Sequence, residues 1–299
     1  EDQPVFWTAE EYLSYLDGFM DMYKLRQHIN FLHSVEMVRK DADTGKWMVT
    51  VKGGLGCHDV QRCENTPEDT SKSQPRTIAF DCVCVCTGTH TYPSLPAFPG
   101  QERFQGQIIH SVDYKTPEAF AGKRVLVIGS GESGSDIVNE ISRFAKQTAI
   151  SIRGKHGHII PRIQKHGRVT DLNTNRIRYS NPYVFGDWIG YVNQMAKRWT
   201  SFWGPKDDLA KVLQKIGELN MYQETSAFSK TGCKNEGFVA AMVLRGAELH
   251  RDTFELHENK AVFADGTEYE CDVIVACTGF KNSFPMFEQH HEEDRKSVV

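Results

Sequence analysis

Two segments of this sequence carry residue types and spacings that could do chemistry. The first is Gly129-Ser130-Gly131-Glu132-Ser133-Gly134, a Gly-x-Gly-x-x-Gly turn. It follows the apolar run Lys123 to Ile128 and precedes a helical pattern, Asp136 to Phe144, in which Ile137, Val138 and Ile141 share one face. In that strand–turn–helix context the turn reads as a dinucleotide-binding fingerprint. Gly129 permits the tight turn, Gly131 lets backbone approach a pyrophosphate, and Gly134 allows close helix–strand packing. The helix start then presents N–H groups and the positive end of a dipole to phosphate. The next strand, Thr148 to Arg153, ends in Ile152-Arg153-Gly154-Lys155, with no acid. NAD sites place an acid there for the ribose 2′-hydroxyl, whereas Arg153 and Lys155 suit a 2′-phosphate. The residues therefore point to NADP(H).

The second segment lies just upstream: Phe104, Gly106, His110, Tyr114 and Lys115, in the pattern F-x-G-x-x-x-H-x-x-x-Y-K. Alone, His110 reads as a structural histidine. The whole pattern resembles the identifying motif of the flavin-containing monooxygenases, and it stands where that family has it, before the NADPH-binding strand. The related Baeyer–Villiger monooxygenases usually carry Trp where this chain has Tyr114, so the resemblance favours the branch that oxygenates nitrogen and sulfur. Cys86-Thr87-Gly88 and Cys277-Thr278-Gly279-Phe280 resemble that family's two ATG-type strand ends, with Cys in the Ala position. The resemblance thus places Thr87, Gly88, Thr278, Gly279 and His110 near the cofactors, with His110 and Tyr114 framing the linker rather than moving protons.

The resemblance implies FAD and NADPH as cofactors, and a small-molecule amine or sulfide and O₂ as substrates. Oxygen would be transferred from a C4a-hydroperoxyflavin, so the hard chemistry belongs to the cofactor. That accords with the lack of any catalytic triad or carboxylate pair in the sequence; no catalytic side chain and no metal ligand set is assigned. Two other readings stay open: a Baeyer–Villiger monooxygenase, and a non-catalytic NADP-binding fragment. A disulfide reductase is disfavoured, because the nearest cysteine pair, Cys57 and Cys63, is separated by five residues. The family's first Gly-x-Gly-x-x-Gly, for FAD, does not occur before Cys86, nor does its upstream active-site Asn. The expectation is a chain that starts after the first FAD strands, both ends resembling cuts through a larger protein.

The elements that must position these residues follow an α/β pattern: two Rossmann-like dinucleotide-binding domains built as three-layer parallel sheets. Residues 1–98 are assigned to a partial FAD domain, 99–276 to an inserted NADPH domain, and 277–299 to a return to the FAD domain. Thr8-Ala9-Glu10-Glu11 is a capping box opening a helix on which Tyr12, Leu13, Leu16, Phe19, Met20 and Tyr23 recur. Ile29 to Lys40 and Lys46 to Lys52 flank Asp41 to Gly45 as a hairpin. Residues 53–76 read as a polar surface excursion, and Thr77 to Cys86 as a buried strand. Pro93, Pro96 and Pro99 make an extended connector. Residues 162–230 form a helical, aromatic insertion containing Tyr183, Phe185, Trp188, Tyr191, Trp199, Phe202 and Trp203. Strands return at Phe254 to Leu256 and Ala261 to Phe263, and Asp265-Gly266 turns into a last strand, Glu268 to Ala276.

Composition sets the outer bounds. With 299 residues, 39% hydrophobic and 25% charged, the chain is globular and long enough for two cores. A net charge of -4, with mixed signs along the chain, gives no nucleic-acid surface. No apolar run reaches the roughly 20 residues that span a bilayer. No secretory signal is visible, and the eight cysteines suit a reducing, cytoplasmic setting. Cys82, Cys84 and Cys86 in particular read as small buried hydrophobes on one strand face. A homodimer is compatible with the sequence.

Overall fold

The computed structural model describes residues 7–53, 74–152, 159–162, 192, 207–221, 233–251 and 253–287. The chain divides into two compact units, Glu1–Thr91 with Asn282–Val299, and Tyr92–Lys281.

The first unit opens with helix α1, Ala9–Met22. Its capping box forms as the sequence suggests: Thr8 accepts from the Glu11 N–H at 3.2 Å, and the Glu11 carboxylate accepts from the Thr8 N–H at 2.7 Å. Strands β1 (His33–Lys40), β2 (Trp47–Gly53) and β3 (Arg76–Phe80) form an antiparallel sheet in that order. The β1–β2 turn is built by Asp41, whose carboxylate accepts from the N–H groups of Asp43 and Thr44 at 2.9 and 3.2 Å. Gly45 closes the turn at φ +68°, a conformation that favours glycine.

The strand expected over Thr77 to Cys86 is shorter, and it is not buried. Every residue of β3 is exposed, as are Cys82, Cys84 and Cys86, which corrects their reading as buried hydrophobes. Register explains the shorter length. Trp47, the first residue of β2, pairs with Phe80, and beyond that point β2 has turned away into the hairpin. Among the described residues, 82–86 therefore join no ladder.

The second unit is built on a five-stranded parallel sheet. Its strands are β5 (Gln107–His110), β6 (Arg124–Ile128), β7 (Gln147–Ile152), β8 (Glu248–Arg251) and β12 (Val273–Ala276), in the order β5-β12-β6-β7-β8. A short pairing of β4 (Tyr92–Pro93) with β13 (Phe280–Lys281) closes the unit's two ends together. Helix α2, Glu132–Ile141, crosses from β6 to β7, and α3 (Asp208–Met221) and α4 (Gly237–Arg245) lie between β7 and β8.

Alternation along the strands sorts the core into layers. Val125, Val127, Ile150, Ile152, Val273 and Val275 face the helices, meeting Ile137, Val138 and Ile141 of α2 and Phe238 and Val239 of α4. Leu126, Ala149, Ile274 and Ala276 face the other way. They meet an antiparallel flap of β9 (Phe254–Leu256), β10 (Lys260–Phe263) and β11 (Glu268–Glu270), through Leu256, Ala261, Phe263 and Tyr269. Strands buried on both faces must be apolar at every position, which is why β6 reads as an unbroken apolar run. Three layers result: helices, parallel sheet, flap.

The expected last strand, Glu268 to Ala276, is two strands. β11 pairs antiparallel with β10, and the chain then changes sheets through Cys271-Asp272 before β12 enters between β5 and β6. The helical region also runs further than expected. α3 falls within residues 162–230, but α4 and β8 follow that span. The aromatic block at 183–203 lies outside the described residues except for Val192, and 54–73 of the polar excursion lies outside them too.

Candidate functional site

The glycine turn sits at the carboxyl end of β6. There the chain leaves toward β7 on one side while β12 lies on the other. This is the switch point of the sheet order, where open α/β sheets form their ligand crevice. Each glycine has a separate reason to be glycine. Gly129 adopts φ +101°, and a Cβ there would lie 2.6 Å from the Cys277 carbonyl oxygen. A Cβ on Gly134 would collide with the Gly129 carbonyl oxygen, so the helix start packs directly on the turn. A Cβ on Gly131 would meet nothing within 4 Å. Gly131 is thus the one of the three whose small size serves the space outside the protein rather than its packing.

That space fits a phosphate. Gly131 caps α2 without any side-chain hydrogen bond, and Gly131, Glu132 and Ser133 are exposed. First-turn N–H groups of α2 therefore face an open cradle, as a pyrophosphate requires. The turn is held from below by the Gly129 N–H donating to Ser151 O at 2.9 Å, and from the side by the Cys277 N–H donating to Ile128 O at 2.8 Å. Burial pushes the Cys277 thiol up to about 12, so it stays protonated beside the turn.

His110, at the end of β5, is buried and reaches the loop after β12. Its Nδ1 accepts from the Val112 N–H at 3.2 Å, which places the ring proton on Nε2. Nε2 then donates to Gly279 O at 3.0 Å, and the ring packs edge-on against Phe280. The same loop is tied by the Thr278 hydroxyl, which donates to Ser94 O at 2.6 Å. Tyr114 donates to the Glu140 carboxylate on α2 at 2.6 Å and stacks on Phe120. Burial first, and then Glu140, push the Tyr114 phenol well above its ordinary value, so it remains a donor.

The structure therefore brings Gly129, Ser130, Gly131, Glu132, Ser133, Gly134, His110, Thr278 and Gly279 together in the second unit. Thr87 and Gly88 belong to the first. Both are exposed, Gly88 at φ +74°, with the Thr91 hydroxyl donating to Thr87 O at 3.1 Å. Arg153 and Lys155 lie outside the described residues. Among the described residues, no group of three or more His, Cys, Asp or Glu is placed to hold a metal ion, and no helix is long and apolar enough to cross a membrane.

Sequence reasoning passed over a polar cluster against the first turn of α2. Arg162 Nη2 lies 2.9 Å from the Asp136 carboxylate and 3.4 Å from that of Glu132. Asn235, 2% exposed, donates to Asp136 Oδ1 at 2.8 Å and to Glu132 O at 3.2 Å, and accepts from the Gly237 N–H at 2.8 Å. α4 begins so close to α2 that a Cβ on Gly237 would lie 2.5 Å from Ser135 O. The only sequence signal for this contact was the small residue at Gly237, ahead of the apolar run Phe238 to Leu244.

Comparison with known proteins agrees with this geometry. A family model described as FMO-like, flavin-binding monooxygenase-like, matches residues 1–299. Human flavin-containing monooxygenase 2 is 32% identical over 300 residues, covering 96% of this chain and 49% of that protein. The chain thus spans about half the length of the curated relatives it matches. Among solved structures, S-allyl-L-cysteine S-oxygenase from Allium sativum aligns with a TM-score of 0.53 at 21% identity, over 96% of this chain and 45% of that one. Cyclohexanone monooxygenase with bound ε-caprolactone aligns with a TM-score of 0.56 at 17% identity, over 92% of this chain and 58% of that one. At such identities these two establish a shared fold.

Proposed function

Because the chain belongs to the flavin-binding monooxygenase-like family, we propose that it supplies the NADPH-binding part of an enzyme that oxygenates a soft nucleophilic nitrogen or sulfur in a small molecule. NADPH supplies a hydride, and FAD with O₂ supplies the oxygen atom delivered to the substrate.

The observation that carries this reading is the open cradle over Gly131 at the β6–β12 switch point, beside the buried His110–Gly279 tie. Gly129, Gly131 and Gly134 with the first turn of α2 hold the pyrophosphate. Arg153 and Lys155 take the 2′-phosphate. His110 holds the Thr278–Phe280 loop in place, and the buried, proton-bearing Tyr114 braces the linker against α2; neither moves a proton. Tyr114 at the end of the linker motif favours nitrogen or sulfur as the oxygenated atom, and the likeness to human dimethylaniline monooxygenase [N-oxide-forming] 4 supports nitrogen. Among the described residues, no comparable cradle for the flavin is present. The sequence holds no second Gly-x-Gly-x-x-Gly, and the described part of the first unit is an antiparallel sheet with a helix.

The test has two stages. Titration of the 299-residue chain with NADP⁺ and NAD⁺ should give binding that prefers NADP⁺. The whole protein should then be yellow and consume NADPH with a tertiary amine or thioether. Lactone formation from a cyclic ketone in place of these products would move the assignment to the Baeyer–Villiger class. A colourless, NADP⁺-binding whole protein without turnover would leave only a nucleotide-binding module.

A further inference from the structure

The phosphate cradle has an electrostatic difficulty. Glu132 and Asp136 lie on the first turns of α2, at the end that would receive a dianionic pyrophosphate. A third carboxylate, Glu236, lies close by, accepting from the Arg162 N–H at 2.7 Å. Acids stabilise an empty helix N-terminus, but they repel an anionic ligand there.

The structure answers this with groups from two distant segments. Arg162 Nη2 bridges both α2 carboxylates. The Lys234 N–H donates to the other oxygen of Glu132 at 2.6 Å, and the Asn235 amide holds the other oxygen of Asp136. These segments are themselves fastened together. The Ile160 N–H donates to Cys233 O at 2.8 Å, and the buried Asn220 amide clasps Ile159, accepting from its N–H at 2.9 Å and donating to its carbonyl at 2.8 Å. Partly exposed ion pairs contribute little to stability. Four hydrogen bonds from three groups, converging on two carboxylates beside the cradle, need a different account.

We propose that Arg162 is a positioning residue for the dinucleotide. It neutralises Glu132 and Asp136, and with Asn235 holds their side chains in fixed positions. It acts on the pyrophosphate through these acids, not by direct contact with the 2′-phosphate. The inference rests on the nucleotide reading above.

Calorimetric titration of the chain with NADP⁺ and with NAD⁺, at low and high salt, tests it. Arg162→Ala should raise Kd about tenfold for both nucleotides at low ionic strength, with the loss shrinking as salt screens the acids. Arg162→Lys, which keeps the charge, should stay within about threefold of wild type. The triple variant Arg162→Ala/Glu132→Gln/Asp136→Asn should recover most of the lost affinity. A thermal unfolding midpoint measured on each variant separates this from simple unfolding. A merely structural arginine would lower the midpoint, and affinity would not return in the triple variant. A loss confined to NADP⁺ would make Arg162 a 2′-phosphate ligand instead and overturn the proposal. An unchanged Kd in Arg162→Ala, with wild type binding normally, would overturn it while leaving the nucleotide reading intact. Absence of binding by the wild-type chain would remove both.

Discussion

The imidazole of His110 donates from Nε2 to the carbonyl oxygen of Gly279 at 3.0 Å, across 169 residues of sequence. β5 thereby fixes the loop that leaves β12, and that loop borders the glycine turn. Because His110 is 3% exposed and both ring nitrogens are engaged, its replacement leaves a cavity as well as a broken bond.

His110→Ala should cost about 2–3 kcal/mol of unfolding free energy in urea, the sum of a lost hydrogen bond and a cavity. NADP⁺ affinity should fall through misplacement of the Thr278–Phe280 loop. A variant with wild-type stability and unchanged NADP⁺ affinity would remove the positioning role.

The three fingerprint glycines should separate into two behaviours. Gly134→Ala sets a Cβ against the Gly129 carbonyl and should destabilise the chain by about 1–3 kcal/mol, as overpacking does. Gly131→Ala places its methyl in open space at φ -72°, so stability should change by less than about 1 kcal/mol. NADP⁺ affinity should nonetheless fall at least about tenfold, because the methyl occupies the phosphate's approach. Tight NADP⁺ binding by Gly131→Ala would show that the cradle is not where the pyrophosphate sits.

The parts of the molecule legible in the sequence are those governed by local rules. The Thr8–Glu11 box, the Asp41–Gly45 hairpin and the β6–turn–α2 unit each follow from residues within a few positions of one another. The parts not legible depend on distant partners. The Glu268 to Ala276 run looks uniform, yet it divides because its first half joins the flap and its second half the parallel sheet. Cys82, Cys84 and Cys86 alternate like a buried strand, but burial depends on a neighbour, and β2 has none to offer past Trp47. Arg162 and Asn235 reach α2 from opposite ends of a long insertion, and no spacing rule predicts that meeting.

The sheet's lower edge carries a pH-sensitive clamp. Asp272 accepts from Arg124 at its backbone N–H (2.8 Å), at Nε (3.2 Å) and at Nη2 (2.6 Å), while Glu270 takes Nη1. The Arg124 side-chain bonds hold the Asp272 carboxyl below its ordinary value, so the folded state prefers the ionised form. That contribution is complete above the unfolded carboxyl value of about 4, and it fades as pH falls through and below it. Asp272→Asn should therefore lower stability at pH 7 by about 1 kcal/mol, a modest figure because the side chain is 40% exposed. It should also flatten the acid limb of the stability curve between roughly pH 4 and 2. Parallel acid limbs for wild type and variant would exclude the clamp as a contributor.

Thiol chemistry tests the sheet's burial and the correction in the first unit together. Cys233 and Cys271 are buried, and burial pushes their thiols up to about 11 and about 12; Cys277 rises to about 12 for the same reason. Alkylation needs the thiolate and access to it, and these three have neither in full. Cys82, Cys84 and Cys86 are exposed. Iodoacetamide at pH 8, followed by peptide mass mapping, should modify the exposed three at least about tenfold faster than Cys233 and Cys271. Urea should abolish the difference, since unfolding removes the desolvation that raised the buried thiols. Equal rates at Cys84 and Cys271 in the folded chain would mean that β12 and the flap do not close over Cys271. Slow labelling of Cys82, Cys84 and Cys86 would mean instead that something covers the end of β3, and the strand read from the sequence would have to be restored.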